Sequence, residues 1–157
     1  MQTPEPTVPP RAESYEREPT PRPTASSYWG ERLAWVAGLV LAISAFTGWY
    51  AGSQADGLTL SVTGWHTGAL GKLVFFAGLA TLILEALREA GIELPATVPE
   101  SLVLIALGSL ATIFVLIRLI SIPDEFFFAG RGVGIWVALI GALGAIAAGL
   151  LLAGEEL

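Results

Sequence analysis

Four long apolar runs restrict what this chain can fold into. They cover residues 33–50, 69–87, 101–122 and 132–154, and none carries more than two charged side chains. A helix that crosses a bilayer needs about 20 mainly apolar residues, and each run reaches roughly that length. A helix of a soluble bundle would show a polar stripe, which these runs lack. The pattern predicts an all-α, multi-pass protein of the cell membrane, a bundle of four transmembrane helices at about residues 31–50, 69–88, 101–122 and 132–154.

The first 27 residues differ sharply in composition from the rest. They hold seven of the ten prolines, charges of both signs and few large apolar side chains. Such a segment cannot bury enough apolar surface to offset the entropy lost on ordering. We therefore expect a disordered Pro-rich tail over residues 1–27 and a transmembrane domain over residues 28–154.

Lysine and arginine residues near the spans predict the orientation, because cytoplasmic loops carry more of them. With the N-terminus inside, five would lie in the cytoplasm and three outside. The cytoplasmic set is Arg11, Arg17, Arg22, Arg32 and Arg88, and the outer set is Lys72, Arg118 and Arg131. Both termini are therefore expected in the cytoplasm.

Two segments on the expected outer side favour strands. Residues 58–63 alternate apolar and hydroxyl side chains, a period of two that is typical of a strand. Residues 125–130, EFFFAG, are also β-prone. Because an isolated strand is unstable, we expect these two segments to pair as a small hairpin-like sheet over the outer end of the bundle.

Composition and motifs exclude several functions. The chain has no cysteine, and its net charge of −6 argues against a nucleic-acid partner, which requires a basic face. The sequence also lacks a Walker A loop, a zinc motif, an HExxH pair and a dinucleotide fingerprint. We expect no catalytic residue, no metal and no cofactor, and we interpret the protein as non-enzymatic.

Four polar side chains within or beside the runs are candidate functional groups. His66 is the only histidine, and beside Trp65 it suits an interfacial position; a membrane enzyme centred on it is the weakest alternative. Lys72 is expected to extend to the membrane surface.

The other two candidates are Glu85 and Arg118. Glu85 can pair with Arg88 one helical turn later. Arg118 can pair with Asp56, Asp124 or Glu125. The alternative functional hypothesis is a small-molecule transporter or channel subunit that uses Arg118, Lys72 and Glu85.

The fourth run carries small residues every four positions, a spacing that lets helix backbones approach closely. One row is Gly141, Ala145 and Gly149, and the other is Gly134, Ala138 and Ala142. We expect both rows to be packing surfaces. The lipid bilayer is one expected partner of the chain. The rows themselves can pack against another span of the chain, a second copy of the chain or a different membrane protein.

Several motifs carry a resemblance to a known group of proteins. They are TGWYAG at the end of the first run, LSVTGW before the second, RLISIP at the end of the third, and GRGVGIWVALIGALGAIAAGLLL as the fourth. From Trp29 to about Ala153 the chain resembles small four-span membrane proteins of actinobacteria, a family without an assigned activity. The resemblance implies a four-span layout, and the leading hypothesis is a structural or accessory component of the cell envelope that acts through helix packing.

Overall fold

The computed structural model describes residues 24–53, 59–92, 94, 95, 97–122, 124 and 129–156. Four helices and three short strands account for most of them. The helices are α1 (Ala25–Ser44), α2 (Ala69–Glu89), α3 (Glu100–Ile120) and α4 (Val133–Glu156). The strands are β1 (Gly48–Ser53), β2 (Thr59–Thr63) and β3 (Gly130–Arg131), and a 3-10 turn, Gly64–Thr67, leads into α2.

The helices pack side by side in alternating directions. At one end of the bundle Gly30 of α1 lies against Leu152 of α4, and towards the other end Gly141 of α4 lies against Leu41 of α1. Gly78 brings α2 close to α1 in the same way. Helix α3 packs against α4 and α2, so each helix has two main neighbours, and α4 lies between α1 and α3.

Three of the helices are long and apolar enough to cross a membrane, namely α2, α3 and the Val133–Glu155 part of α4. They coincide to within two residues with the second, third and fourth predicted spans. Large apolar side chains on their outer surfaces are exposed, including Phe76, Ile113 and Ile140. The membrane prediction is therefore supported for three helices by length and composition.

The first predicted span, residues 31–50, has different bounds in the structure. Helix α1 begins at Ala25, so the last residues of the predicted 1–27 tail are helical; residues 1–23 lie outside the described part of the chain. The helix ends at Ser44, where its carbonyl oxygen accepts a hydrogen bond from Trp49 Nε1 at 2.8 Å. Trp49 and Tyr50 then enter β1 and are fully buried. Hydropathy alone cannot separate such a buried strand from the end of a membrane helix.

A three-stranded sheet lies at the end of the bundle where α1 stops. Its strand order is β2-β1-β3, and both pairings are antiparallel. The predicted strand over residues 58–63 is present as β2 over Thr59–Thr63, which pairs with β1. Of the second predicted segment, residues 125–130, the structure describes residues 129 and 130, and Gly130 pairs with β1 rather than with β2. The central strand β1 begins at Gly48, inside the first apolar run, and continues beyond the end of that run to Ser53. Residues 58 and 125–128 lie outside the described residues.

Close packing ties this sheet to the bundle. A side chain at Gly64 would collide with the indole ring of Trp49, because a Cβ atom there would lie 2.5 Å from Cε2. The amide of Gly132 donates to the carbonyl of Trp49 at 2.6 Å. Trp49 therefore joins the turn before α2 to the start of α4.

Candidate functional site

The small residues of α4 face other helices of the same chain. Ala138, Ala142 and Ala145 are fully buried. A Cβ atom at Gly141 would lie 3.1 Å from the backbone nitrogen of Leu41 in α1. Because other parts of the same chain cover both rows, the rows do not offer a surface to a second copy of the chain.

The ends of the two rows show which neighbours they serve. A Cβ atom at Gly134 would lie 2.2 Å from Thr47 Oγ1, in the turn that follows α1. At Gly149 it would lie 2.8 Å from the carbonyl oxygen of Ser101 in α3. The rows therefore set the distance of α4 from α1 and from α3.

A cluster of charged side chains, the Arg88 cluster, links three helices at the end of the bundle opposite the sheet. Arg88 Nη2 of α2 lies 3.0 Å from Glu31 Oε1 of α1, and Arg88 Nε lies 3.5 Å from Glu100 Oε2 of α3. The Glu31 side chain is 42% exposed, so solvent weakens that ion pair. The sequence had suggested Glu85 as the partner of Arg88, but the nearer carboxylates come from neighbouring helices.

Glu85 is the most deeply buried charged residue described, with 1% of its surface exposed. Its Oε1 atom has no hydrogen-bond partner among the described residues. The charged groups that act on it are Arg88, Glu100, Glu31 and Glu89. Glu85 therefore lies just beneath the Arg88 cluster, on the bundle side.

The Arg88 cluster has limited chemical scope. No group of three histidine or acidic side chains in the described part of the chain could hold a metal ion. What the geometry provides is two ion pairs that share Arg88 and join three helices, and one buried carboxyl group. Such an arrangement can fix the relative positions of helices, and its buried carboxyl group is able to exchange a proton.

Arg118 lies at the opposite end, beside the sheet. Its carbonyl oxygen accepts a hydrogen bond from Tyr50 Oη at 2.7 Å, and its Nη2 atom lies 2.8 Å from where a Cβ of Gly68 would be. Among the described residues no ion pair joins it to Asp124; Asp56 and Glu125, its other predicted partners, lie outside them.

Tyr50 is the titratable side chain that this environment changes. Burial raises the pKa of the Tyr50 hydroxyl above its ordinary value of 10.0, and the positive charges of Arg118 and Arg131 oppose part of that rise. The hydroxyl therefore stays protonated near neutral pH and donates to the Arg118 carbonyl oxygen.

His66 and Lys72 lie on the surface at the sheet end. His66 Nδ1 is 2.8 Å from Thr63 Oγ1, and the ring is exposed. Lys72 Nζ lies 5.6 Å from the centre of the Trp65 ring, a cation–π contact. The structure therefore distributes the four candidate side chains over both ends: His66, Lys72 and Arg118 near the sheet, and Glu85 at the other end.

A groove of about 440 Å³, which no sequence motif predicted, lies beside the Arg88 cluster. It lies between α1 and the end of α2, and we call it the α1 groove. Its lining is Tyr28, Glu31, Arg32, Trp35, Val36 and Glu89. The lining residues of α1 recur three or four positions apart, so the sequence alone predicts that they share one helix face. The contribution of Glu89 depends on how α2 packs against α1, and the sequence does not predict it.

A scan against protein-family models finds no match, and a search of curated proteins finds none either.

Proposed function

We propose that the protein is a four-span integral membrane protein of the cell membrane that acts as a structural or accessory component of the envelope. It works through helix packing and carries no catalytic site. The observation that supports this most directly is the position of α1. Three helices qualify as spans by composition, and α1 lies among them.

Helix α1 has the length and the outer surface of a span. Its 20 residues correspond to about 30 Å at ~1.5 Å per residue, which matches the hydrocarbon thickness of a bilayer. Along its outer face Val36, Leu39 and Ile43 are each more than half exposed. In water this apolar stripe would be costly, whereas in lipid it is favourable. Because α1 is antiparallel to α4 along its length, a membrane that contains α4 also contains α1.

The same packing supports both termini on one side. Ser26 Oγ donates a hydrogen bond to Glu155 Oε1, so the start of α1 and the end of α4 lie together. The arginines of the N-terminal tail favour the cytoplasm for that side. The resemblance to four-span actinobacterial proteins agrees with the layout and implies no activity.

Cysteine labelling tests the four-span arrangement, because the natural chain has no cysteine. Single cysteines replace Ser26, Leu60 and Leu94, and intact and permeabilised cells are treated with a membrane-impermeant maleimide. We expect Leu60→Cys to react in intact cells, and Ser26→Cys and Leu94→Cys to react only after permeabilisation. If Ser26→Cys and Leu94→Cys react on opposite sides, α1 does not cross and the proposal is wrong.

A transporter or channel subunit is the second candidate, and the burial of Glu85 favours it. A buried carboxyl group inside a span is a common feature of ion and proton pathways. Proteoliposomes that contain the purified chain distinguish the two. A proton or solute flux that Glu85→Gln abolishes would support transport, whereas equal, background-level flux for parent and variant supports the packing role.

A further inference from the structure

We propose that the α1 groove binds the headgroup of a bilayer phospholipid that carries a primary amine. This inference rests on the proposed function, because it requires α1 to lie at the membrane surface. The groove is a concave site of about 440 Å³ with two carboxylates, one guanidinium and two aromatic rings. Its charged side chains belong to the first two turns of α1 and the last turn of α2, near the end of the bundle where lipid headgroups would be.

The charges of the groove match a headgroup with one phosphate and one ammonium. Arg32 supplies a guanidinium for the phosphate, since arginine binds phosphate oxygens well. Glu31 and Glu89 supply carboxylates for the ammonium. Glu89 is also the last residue of α2, where the helix carries partial negative charge, so a cation beside it relieves an unfavourable position.

The acidic side of the groove is held in position by contacts within the protein. Trp35 Nε1 donates to Glu89 Oε1 at 3.0 Å, which links α1 to α2. Glu31 is held by Arg88 at 3.0 Å. The two carboxylates are therefore oriented before a ligand arrives, which lowers the entropy lost on binding.

The groove continues into an apolar track on the same face of α1. Val36 belongs to the groove lining, and Leu39 and Ile43 follow it one and two turns further along the helix. Polar groups at the end of the helix and apolar ones below reproduce the order of a phospholipid, with headgroup above acyl chain. This arrangement favours a lipid as the ligand over a free amine in solution, which has no acyl chain to contact the apolar track.

A primary amine fits better than a quaternary one or an anionic headgroup. Carboxylates gain most from an ammonium that donates hydrogen bonds, which choline cannot do. Choline could instead bind over an aromatic ring, but the Arg32 guanidinium already lies 5.1 Å from the centre of the Tyr28 ring. A headgroup with phosphate alone would meet two carboxylates without an ammonium to satisfy them.

Native mass spectrometry of the full chain in detergent tests this inference. The probes are phosphatidylethanolamine, phosphatidylcholine and phosphatidylglycerol with identical acyl chains. We expect the parent to bind phosphatidylethanolamine about five-fold more tightly than either of the others, the difference that one partly exposed charge-assisted hydrogen bond provides. Equal affinity for all three lipids would overturn the inference.

Two variants divide the effect between phosphate and ammonium. Glu89→Gln keeps an oxygen for Trp35 but removes the charge, so it should abolish the preference over phosphatidylcholine. Arg32→Gln should weaken all three lipids by a similar factor, because all three carry the phosphate. Asp124→Asn and Lys72→Gln remove the same charges at the sheet end and should change neither result. If Glu89→Gln behaves like Asp124→Asn, the assigned site is wrong.

The two proposals fail in different ways. Cysteine labels that place α1 across the membrane, together with equal affinity for the three lipids, would overturn the lipid site and leave the four-span proposal intact. Labels at Ser26 and Leu94 on opposite sides would overturn the four-span proposal first.

Discussion

Gly149 lies where α4 closely approaches α3, so its replacement by alanine tests the packing role. A Cβ atom there would lie 2.8 Å from the carbonyl oxygen of Ser101, 3.0 Å from the backbone nitrogen of Ile105 and 2.7 Å from Ile105 Cγ1. Two of these three atoms belong to the backbone, so a side-chain rotation cannot remove the collision. The helices themselves must separate.

The size of the effect follows from that separation. Ordinary contact begins at 3.4 Å, so the axes must move apart by about 0.6 Å, and a gap of that size forfeits roughly a quarter or more of the contact energy along the interface. Overpacking of this kind costs about 1–3 kcal/mol. The better helix propensity of alanine returns up to about 1 kcal/mol. We expect Gly149→Ala to lower the free energy of unfolding by about 1–2 kcal/mol.

Gly154→Ala is the matched control, because it makes the same change in the same helix. A Cβ atom at Gly154 meets no atom within 4 Å, so only the gain in helix propensity applies and the variant should be as stable as the parent or more stable by up to about 1 kcal/mol. Stability is measured by unfolding in mixed micelles with increasing sodium dodecyl sulfate, followed by helical circular dichroism. If Gly149→Ala and Gly154→Ala unfold at the same detergent fraction, the close approach of α3 and α4 does not stabilise the fold.

Three further predictions concern the two ends of the bundle. Glu85→Gln keeps the volume of a buried carboxyl group and removes its charge, so the free energy of unfolding should stay the same or rise by about 1 kcal/mol; a clear loss in the same micelle assay would mean that Glu85 is ionised and well paired. Trp49→Phe removes the 2.8 Å hydrogen bond to the Ser44 carbonyl and should cost about 1–2 kcal/mol, and a thermal midpoint equal to that of the parent would contradict the role of the indole. Tyr50 has a raised pKa in the folded state, so its contribution to the free energy of unfolding is complete below pH 10 and declines as the pH rises through that raised pKa. Unfolding measured from pH 7 to 11 should show this decline in the parent. Tyr50→Phe, which also lacks the hydrogen bond to the Arg118 carbonyl oxygen, should not show it.

The positions of α2, α3 and α4 were predictable because a helix satisfies its backbone hydrogen bonds within itself. Length and apolar composition are therefore enough to identify such segments. The strand β2 was predictable for a similar reason, because its apolar and polar side chains alternate between the two faces of the sheet. The end of α1 could not be predicted, because Trp49 and Tyr50 continue the uncharged run and aromatic residues are common at the ends of membrane helices. Only the pairing of β1 with β2 and β3 shows that the chain leaves the helix there.

The candidate sites divide along the same line. The sequence by itself determined that small residues recur along α4 and that Glu85 and Arg118 are rare charges within apolar runs. Tertiary structure decided that the small residues serve α1 and α3, that Arg88 pairs with Glu31 and Glu100, and that Glu89 completes a groove on α1. The physical reason is that helix formation and transfer into lipid depend mainly on residues close together in the chain. An ion pair or a groove depends on which side chains distant segments bring within a few ångströms, and that is decided only when the helices pack.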